Sequence, residues 1–241
     1  MEIISLLFST VVSRPYVFFY TFIALIIAYY ALGIIRTIFF WVISYSVAFL
    51  CEYSSTRNGF PFGLYHYIHK NPHELYVSNV PFWDSLSFAF LAFTSFIIAK
   101  LITHKSRRKV YILFLAPALL TFVDIIVDPI ANLGERWFLG KIYYYEYPGI
   151  YFGVPISNFS GWYFVGFVTI GIFQLITNIE VRNALKVYRA SIIFYFILIL
   201  FHIGVAFYID EPLLGFIDIL LFIPLAYWII KSYRVADGSP T

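Results

Sequence analysis

Long apolar runs, interrupted by short charged stretches or by longer Gly- and Pro-rich ones, set the pattern of this chain. Seven runs approach the ~20 residues that a helix needs to cross a bilayer. They cover residues 16–35, 37–54, 80–101, 110–128, 161–179, 190–209 and 212–231. The pattern predicts an all-α fold: a polytopic membrane helix bundle of about seven transmembrane helices, forming one transmembrane domain over residues 1–241. Two connections, 55–79 and 129–160, are long, rich in Gly, Pro and aromatic residues, and poor in Lys and Arg. Loops of that kind commonly carry function. No internal repeat stands out.

Polar positions orient the bundle. With the N-terminus outside, 11 of the 16 basic residues fall on the inner side: Arg36, Lys100, Lys105, Arg107, Arg108, Lys109, Arg182, Lys186, Arg189, Lys231 and Arg234. Arg14, Arg57, Lys70, Arg136 and Lys141 remain outside. The positive-inside rule therefore predicts an outer N-terminus, a cytoplasmic C-terminus and both long loops on the outer side of a multi-pass protein of the cell membrane.

Composition sharpens the class. Hydrophobic residues make up 61% of the chain and charged residues 12%, where a soluble domain carries roughly 25% charged. The mean hydropathy is +0.83. The net charge of +3 reflects topology, and no basic stripe points to a nucleic-acid partner. The single cysteine, Cys51, excludes an internal disulfide and a CxxC site. The opening MEIISLLFSTVVSRPY lacks a basic leader, so the first span is expected to be retained. Aromatics reach 22%, more than interfacial belts need, and suit a conduit for a long conjugated or polyisoprenoid ligand.

Five acids lie inside the predicted spans: Glu52, Asp84, Asp124, Asp128 and Asp218. Each costs about 2.5–3.5 kcal/mol at a bilayer centre, so such groups need partners or a purpose. The predicted topology puts all five at similar depth on the outer side. Asp124 and Asp128, in DIIVDP, are four residues apart and share a helix face. Their mutual repulsion and their place near a helix C-terminus disfavour two negative charges, so one is expected to carry a proton. Asp84 follows Val80-Pro81 at a helix start, where a carboxylate is better tolerated. A neutral acid facing an ionised base is the arrangement of general acid–base chemistry. Pro129 is expected to end the helix.

Other chemistries fit less well. His66, His69 and His73, with Glu74, have spacings that can suit a divalent metal, but lack a second ligand motif. A retinal Schiff base needs a lysine within a span, and Lys231 lies at an inner end. No GxSxG, P-loop or GxGxxG occurs. Intramembrane carboxylates also serve proton or ion transport, though no inverted repeat accompanies them here.

The ordered series of Glu52, RNGFPFGLYHY (57–67), VPFWD (80–84), DIIVDP (124–129), Trp137 and YFGVPISNFSGW (151–162) resembles the integral-membrane carotenoid hydratase family. That family includes γ-carotene 1',2'-hydratase and bisanhydrobacterioruberin hydratase, and the resemblance covers about residues 37–230. It implies addition of water to the terminal C1–C2 double bond of an acyclic carotenoid end, with no redox cofactor. The partners implied are a carotenoid or polyisoprenoid substrate and membrane lipid. Such a lyase begins by protonating carbon to a tertiary carbocation. The expected acid is Asp124 or Asp128, with Asp84 as base or water-positioning group and Glu52 and Asp218 in support. Trp83, Trp137, Phe159 and Trp162 are expected to stabilise the cation, Arg57 to neutralise a carboxylate, and Asn158 to hold the water; Phe60 and Tyr65 complete the substrate-binding set. Two alternatives share these residues: a carotenoid end cyclase using the same protonation, and a non-enzymatic carotenoid-binding or transport protein.

Overall fold

Backbone N–H and C=O groups find no water in hydrocarbon, so apolar runs close their hydrogen bonds internally, as helices. The computed structural model of the protein describes residues 2–68, 72–106, 108–177 and 180–239. Eight helices follow in order: α1 (Glu2–Ser13), α2 (Pro15–Leu32), α3 (Ile34–Asn58), α4 (Phe82–Ile102), α5 (Lys109–Asn132), α6 (Ile156–Ile176), α7 (Ala184–Tyr208) and α8 (Pro212–Asp237). The last seven are long and apolar enough to cross a membrane, as the hydropathy pattern predicts. At 12 residues, α1 is too short to span.

Helix boundaries follow local chemistry. Pro15 and Pro212 open α2 and α8 at a position where a missing N–H costs nothing. Gly33 (φ 79°) separates α2 from α3, and Gly59 (φ 81°) ends α3 in the left-handed conformation. Pro129 does not end α5. It removes one N–H from the ladder, yet the helix runs on to Asn132 and closes with the Leu133 amide donating to the Pro129 carbonyl at 3.2 Å. Pro155 caps α6, which therefore begins at Ile156 and takes SNFSGW into its first two turns.

The core sits around α4, which packs against α2, α3, α5, α7 and α8. Its small buried residues Ser85, Ala89, Ala92, Ser95 and Ala99 let these neighbours approach. Phe40, Phe93, Phe96 and Phe173 form an aromatic cluster in the half of the bundle away from the long loops, with Phe40 and Phe173 edge to face at 4.9 Å.

The two long connections meet at one end. β1 (Tyr65–Tyr67) from the first pairs antiparallel with β4 (Tyr143–Tyr145) from the second. β2 (Tyr76–Val77) and β3 (Val80–Pro81) form a short hairpin. Arg14 staples this end: it donates to Glu74 at 2.9 Å and to the Leu139 carbonyl at 3.1 Å, and stands over the Trp83 ring. The first connection turns through Gly59–Gly63 and lies against α6 at Gly161, where a Cβ would stand 2.5 Å from a Phe62 ring atom and 2.9 Å from the Pro61 carbonyl. A Gly161→Ala substitution should therefore destabilise the fold by about 1–3 kcal/mol. A lowered thermal unfolding midpoint in detergent is the check.

Candidate functional site

Each long connection carries a Tyr-x-Tyr step, YHY at 65–67 and YYY at 143–145. In an extended strand, residues two apart share a face. The register puts Tyr65 opposite Tyr145 and Tyr67 opposite Tyr143, so four phenols stand together on the inner face of the ribbon. Their rings pack edge to face, with centroids 5.3 Å apart for Tyr65–Tyr67 and 5.6 Å for Tyr143–Tyr145. His66, between them, faces outward and pairs with Glu146 at 2.9 Å.

Beneath the ribbon lie four carboxyl groups from three helices. Asp128 accepts hydrogen bonds from the hydroxyls of Tyr143 and Tyr145, the latter at 2.7 Å. Tyr67 donates to Asp84 at 2.5 Å. The Asn158 amide donates to Asp124 Oδ2 at 2.7 Å and to Asp128 Oδ2 at 3.2 Å. Ser85 donates to Glu52. Asp124 Oδ1 is buried and has no hydrogen-bond partner among the described residues. Among those residues, no Lys or Arg lines the cavities around these groups. Neutral donors, not cations, hold the acids.

Two cavities meet here. A polar one of about 60 Å³ lies between Glu52, Tyr65, Tyr67, Tyr145 and Asn158. It has room for a few waters at roughly 10–15 Å³ each. An apolar one of about 180 Å³ lies between α2, α4, α5, α7 and the connection after α5, with Tyr20, Phe90, Leu91, Val123 and Leu198 in its walls and Asp124 at its side. Asp84, Asp128, Tyr143 and Trp162 line both. Trp162 stacks on Phe88 at 3.9 Å.

Six of the residues picked out by sequence, Glu52, Asp84, Asp128, Tyr65, Asn158 and Trp162, line the polar cavity. Asp124, Trp83 and Trp137 line the apolar one. The rest stand apart. Asp218, on α8, is buried outside both cavities, and its carboxylate oxygens have no hydrogen-bond partner among the described residues. Its nearby influence falls on Tyr151, whose phenol burial and then Asp218 push up to about 12. Arg57 does not neutralise a carboxylate. It is exposed, donates to Asn79 and to the Tyr53 carbonyl at 2.8 Å each, and braces the turn between β2 and β3. Phe60 is 58% exposed against Phe164. Phe159 packs on Tyr151, because one residue along α6 turns about 100° away from Asn158.

His69 lies outside the described residues, and among those described no cluster of three or more His, Cys, Asp or Glu side chains is arranged to hold a metal. Sequence reasoning missed Tyr67, Tyr143, Tyr145 and Ser85. The repeated Tyr-x-Tyr step was the available signal for three of them.

Burial, and then the neighbouring carboxylates, raise the four phenols well above their ordinary value of 10: Glu52 is the next cause at Tyr65, Asp84 at Tyr67, and Asp128 at Tyr143 and Tyr145. They remain hydroxyl donors at neutral pH. An unfolded chain loses these protons first, near pH 10, so their stabilising share is complete below that pH and is lost as pH rises through the higher folded values. Thermal midpoints should fall as pH rises above about 10, and Tyr65→Phe should flatten that alkaline part of the curve.

Fold and site together define a multi-pass membrane protein with a buried carboxylate centre set between an apolar and a polar compartment. The chain belongs to the carotenoid biosynthesis protein family, whose model matches residues 13–226. No curated protein and no solved structure matches it.

Proposed function

We propose that the protein adds water to the terminal C1–C2 double bond of an acyclic carotenoid end. One observation carries this reading: the apolar cavity, suited to an isoprenoid end, and the polar cavity, suited to water, share Asp84 and Asp128 as common wall. A reaction that joins an alkene to water needs that junction.

Asp124 is the proton donor in this scheme. It lines the apolar cavity, and Oδ1 is left without a protein partner while Asn158 fixes Oδ2. The alkene π pair takes the proton at C2 as the O–H bond breaks, leaving a tertiary cation at C1. The π faces of Trp162 and Tyr143, on the boundary, stabilise that cation. Water from the polar side forms the C–O bond at C1. Asp84, held by Tyr67, takes up the proton that the water loses. Proton exchange with solvent then restores Asp124, so the net change is alkene plus water to tertiary alcohol. Asp128, with three donors, anchors the array.

Expression in a bacterial host that makes an acyclic carotenoid tests the reading by chromatography and mass spectrometry. The expected pigment carries one or two added waters. An isomer of unchanged mass would mean cyclisation, and unaltered pigment bound to the protein would mean carriage alone. Asp124→Asn and Asp128→Asn should each lower product by roughly 100-fold or more with the fold intact by circular dichroism. Full activity in both variants rejects these roles.

The same reading takes the N-terminus and the tyrosine ribbon as external. Cys51 is buried and gives little background for thiol labelling. A cysteine at Tyr147, 72% exposed, should react with an impermeant reagent in intact cells. One at Arg182 should react only after the membrane is opened; the opposite pattern inverts the topology.

A further inference from the structure

The apolar cavity is too small for a whole carotenoid. At about 180 Å³, it falls below the roughly 300–1,000 Å³ of sites that enclose drug-sized ligands. It takes one end only, so the rest of a long chain must leave it. Two lining residues indicate where. Phe138 and Phe201 face the cavity and are nonetheless 68% and 40% exposed, and Tyr16 and Tyr20 of α2 form the adjoining wall. The cavity thus reaches the lipid-facing side between α2 and α7.

Farther along the same helix pair lies a second cavity, of about 410 Å³, lined by Ile26, Ile27 and Tyr30 of α2 with Lys186 and Ala190 of α7 and the adjoining Asn183. The helices run antiparallel, so this cavity sits at the opposite end of the bundle. From Tyr16 to Tyr30 the distance along α2 is about 20 Å at 1.5 Å per residue. No charged residue intervenes between Tyr20 and Ile26 on α2 or between Ala190 and Leu198 on α7. The two helices touch where the first cavity ends, Tyr20 against Phe194 at 5.7 Å. In the second cavity the polar groups sit on Tyr30, Asn183 and Lys186.

We propose that the seam between α2 and α7 is an extended binding site for a linear polyisoprenoid. One end lies at the carboxylate centre, the chain leaves past Phe138 and Phe201, and its distal part occupies the second cavity. The ligand then lies along the helix axes and is loaded sideways from the bilayer. This inference rests on the carotenoid reading of the site, but concerns binding and not the reaction.

Binding to the purified full chain in detergent separates the two. The probes are a full-length acyclic carotenoid, followed by its visible absorbance, and a radiolabelled acyclic isoprenoid of half that length. Ala190→Trp, which fills the distal cavity, should lower affinity for the long probe at least tenfold and leave the short probe unchanged. Ile26→Trp, at a position 44% exposed and so tolerant of bulk, should do the same even if Ala190→Trp fails to fold. Equal losses for both probes, no loss in the folded variants, or no carotenoid binding by the wild type would each overturn the proposal. If the wild type binds the long probe selectively through this cavity but never hydrates it, the seam stands and the hydratase reading falls.

Discussion

The structure depends on keeping four carboxyl groups buried among apolar helices with no Lys or Arg, among the described residues, lining their cavities. Leaving such groups unpaired there costs several kcal/mol each. Hydroxyl and amide donors supply the partners: three tyrosines, one asparagine and one serine. The tyrosines come from chain segments more than seventy residues apart, so they reach the acids only when the two long connections pair. The ribbon is thus the roof of the site, and its register decides which phenol meets which acid. A slip by one residue would turn Tyr65 and Tyr67 outward and bring in His66, or turn Tyr143 and Tyr145 outward and leave Tyr144 alone in their place. Gly161 and the Arg14 staple belong to the same requirement, since both hold the connections against the helices.

This roof also explains why two compartments of opposite character sit side by side. The ribbon brings hydroxyl groups to one side of Asp84 and Asp128. On the other, α2, α4, α5 and α7 present Phe, Leu and Val, which the membrane setting favours. Trp162 and Tyr143, each with an apolar face and a polar edge, are suited to the boundary between them.

Much of this was legible in sequence, for reasons that can be named. Seven spans follow from hydropathy alone, because helix formation in lipid is almost obligatory. The acids were visible because a charge in an apolar run is conspicuous. What sequence missed was long-range. Nothing in YHY or YYY alone says that they pair, and a tyrosine in an aromatic-rich loop looks like interfacial packing. The predicted topology gives Asp218 the depth of the other acids, but it belongs to α8, and depth carries no information about rotation around the bundle. Arg57, in the last turn of α3, and Phe60, inside GFPFGLYHY, are both exposed, whereas Phe62 and Tyr65 of the same segment go in. Phe159 was misplaced because its segment was read as loop, whereas the helical start at Ile156 fixes Asn158 and Phe159 on different faces.

The choice of phenols over arginine or lysine has a chemical consequence beyond solubility in the membrane. In the proposed hydration, a guanidinium beside Asp124 or Asp128 would hold its carboxylate ionised and remove the proton meant for the alkene. It would also place a full positive charge beside a developing carbocation, where Coulomb repulsion in a low-dielectric pocket is strong. A phenol raised far above its ordinary titration range avoids both effects. It donates a directed hydrogen bond, stays neutral, and offers a π face with negative potential toward the proposed cation. Tyr143 does this in both directions, with its hydroxyl on Asp128 and its ring in the wall of both cavities. Neutral donors around the acids are therefore the electrostatic counterpart of the separation into polar and apolar compartments: under the proposed reaction, each would leave the reacting carbon as the most favourable place for positive charge.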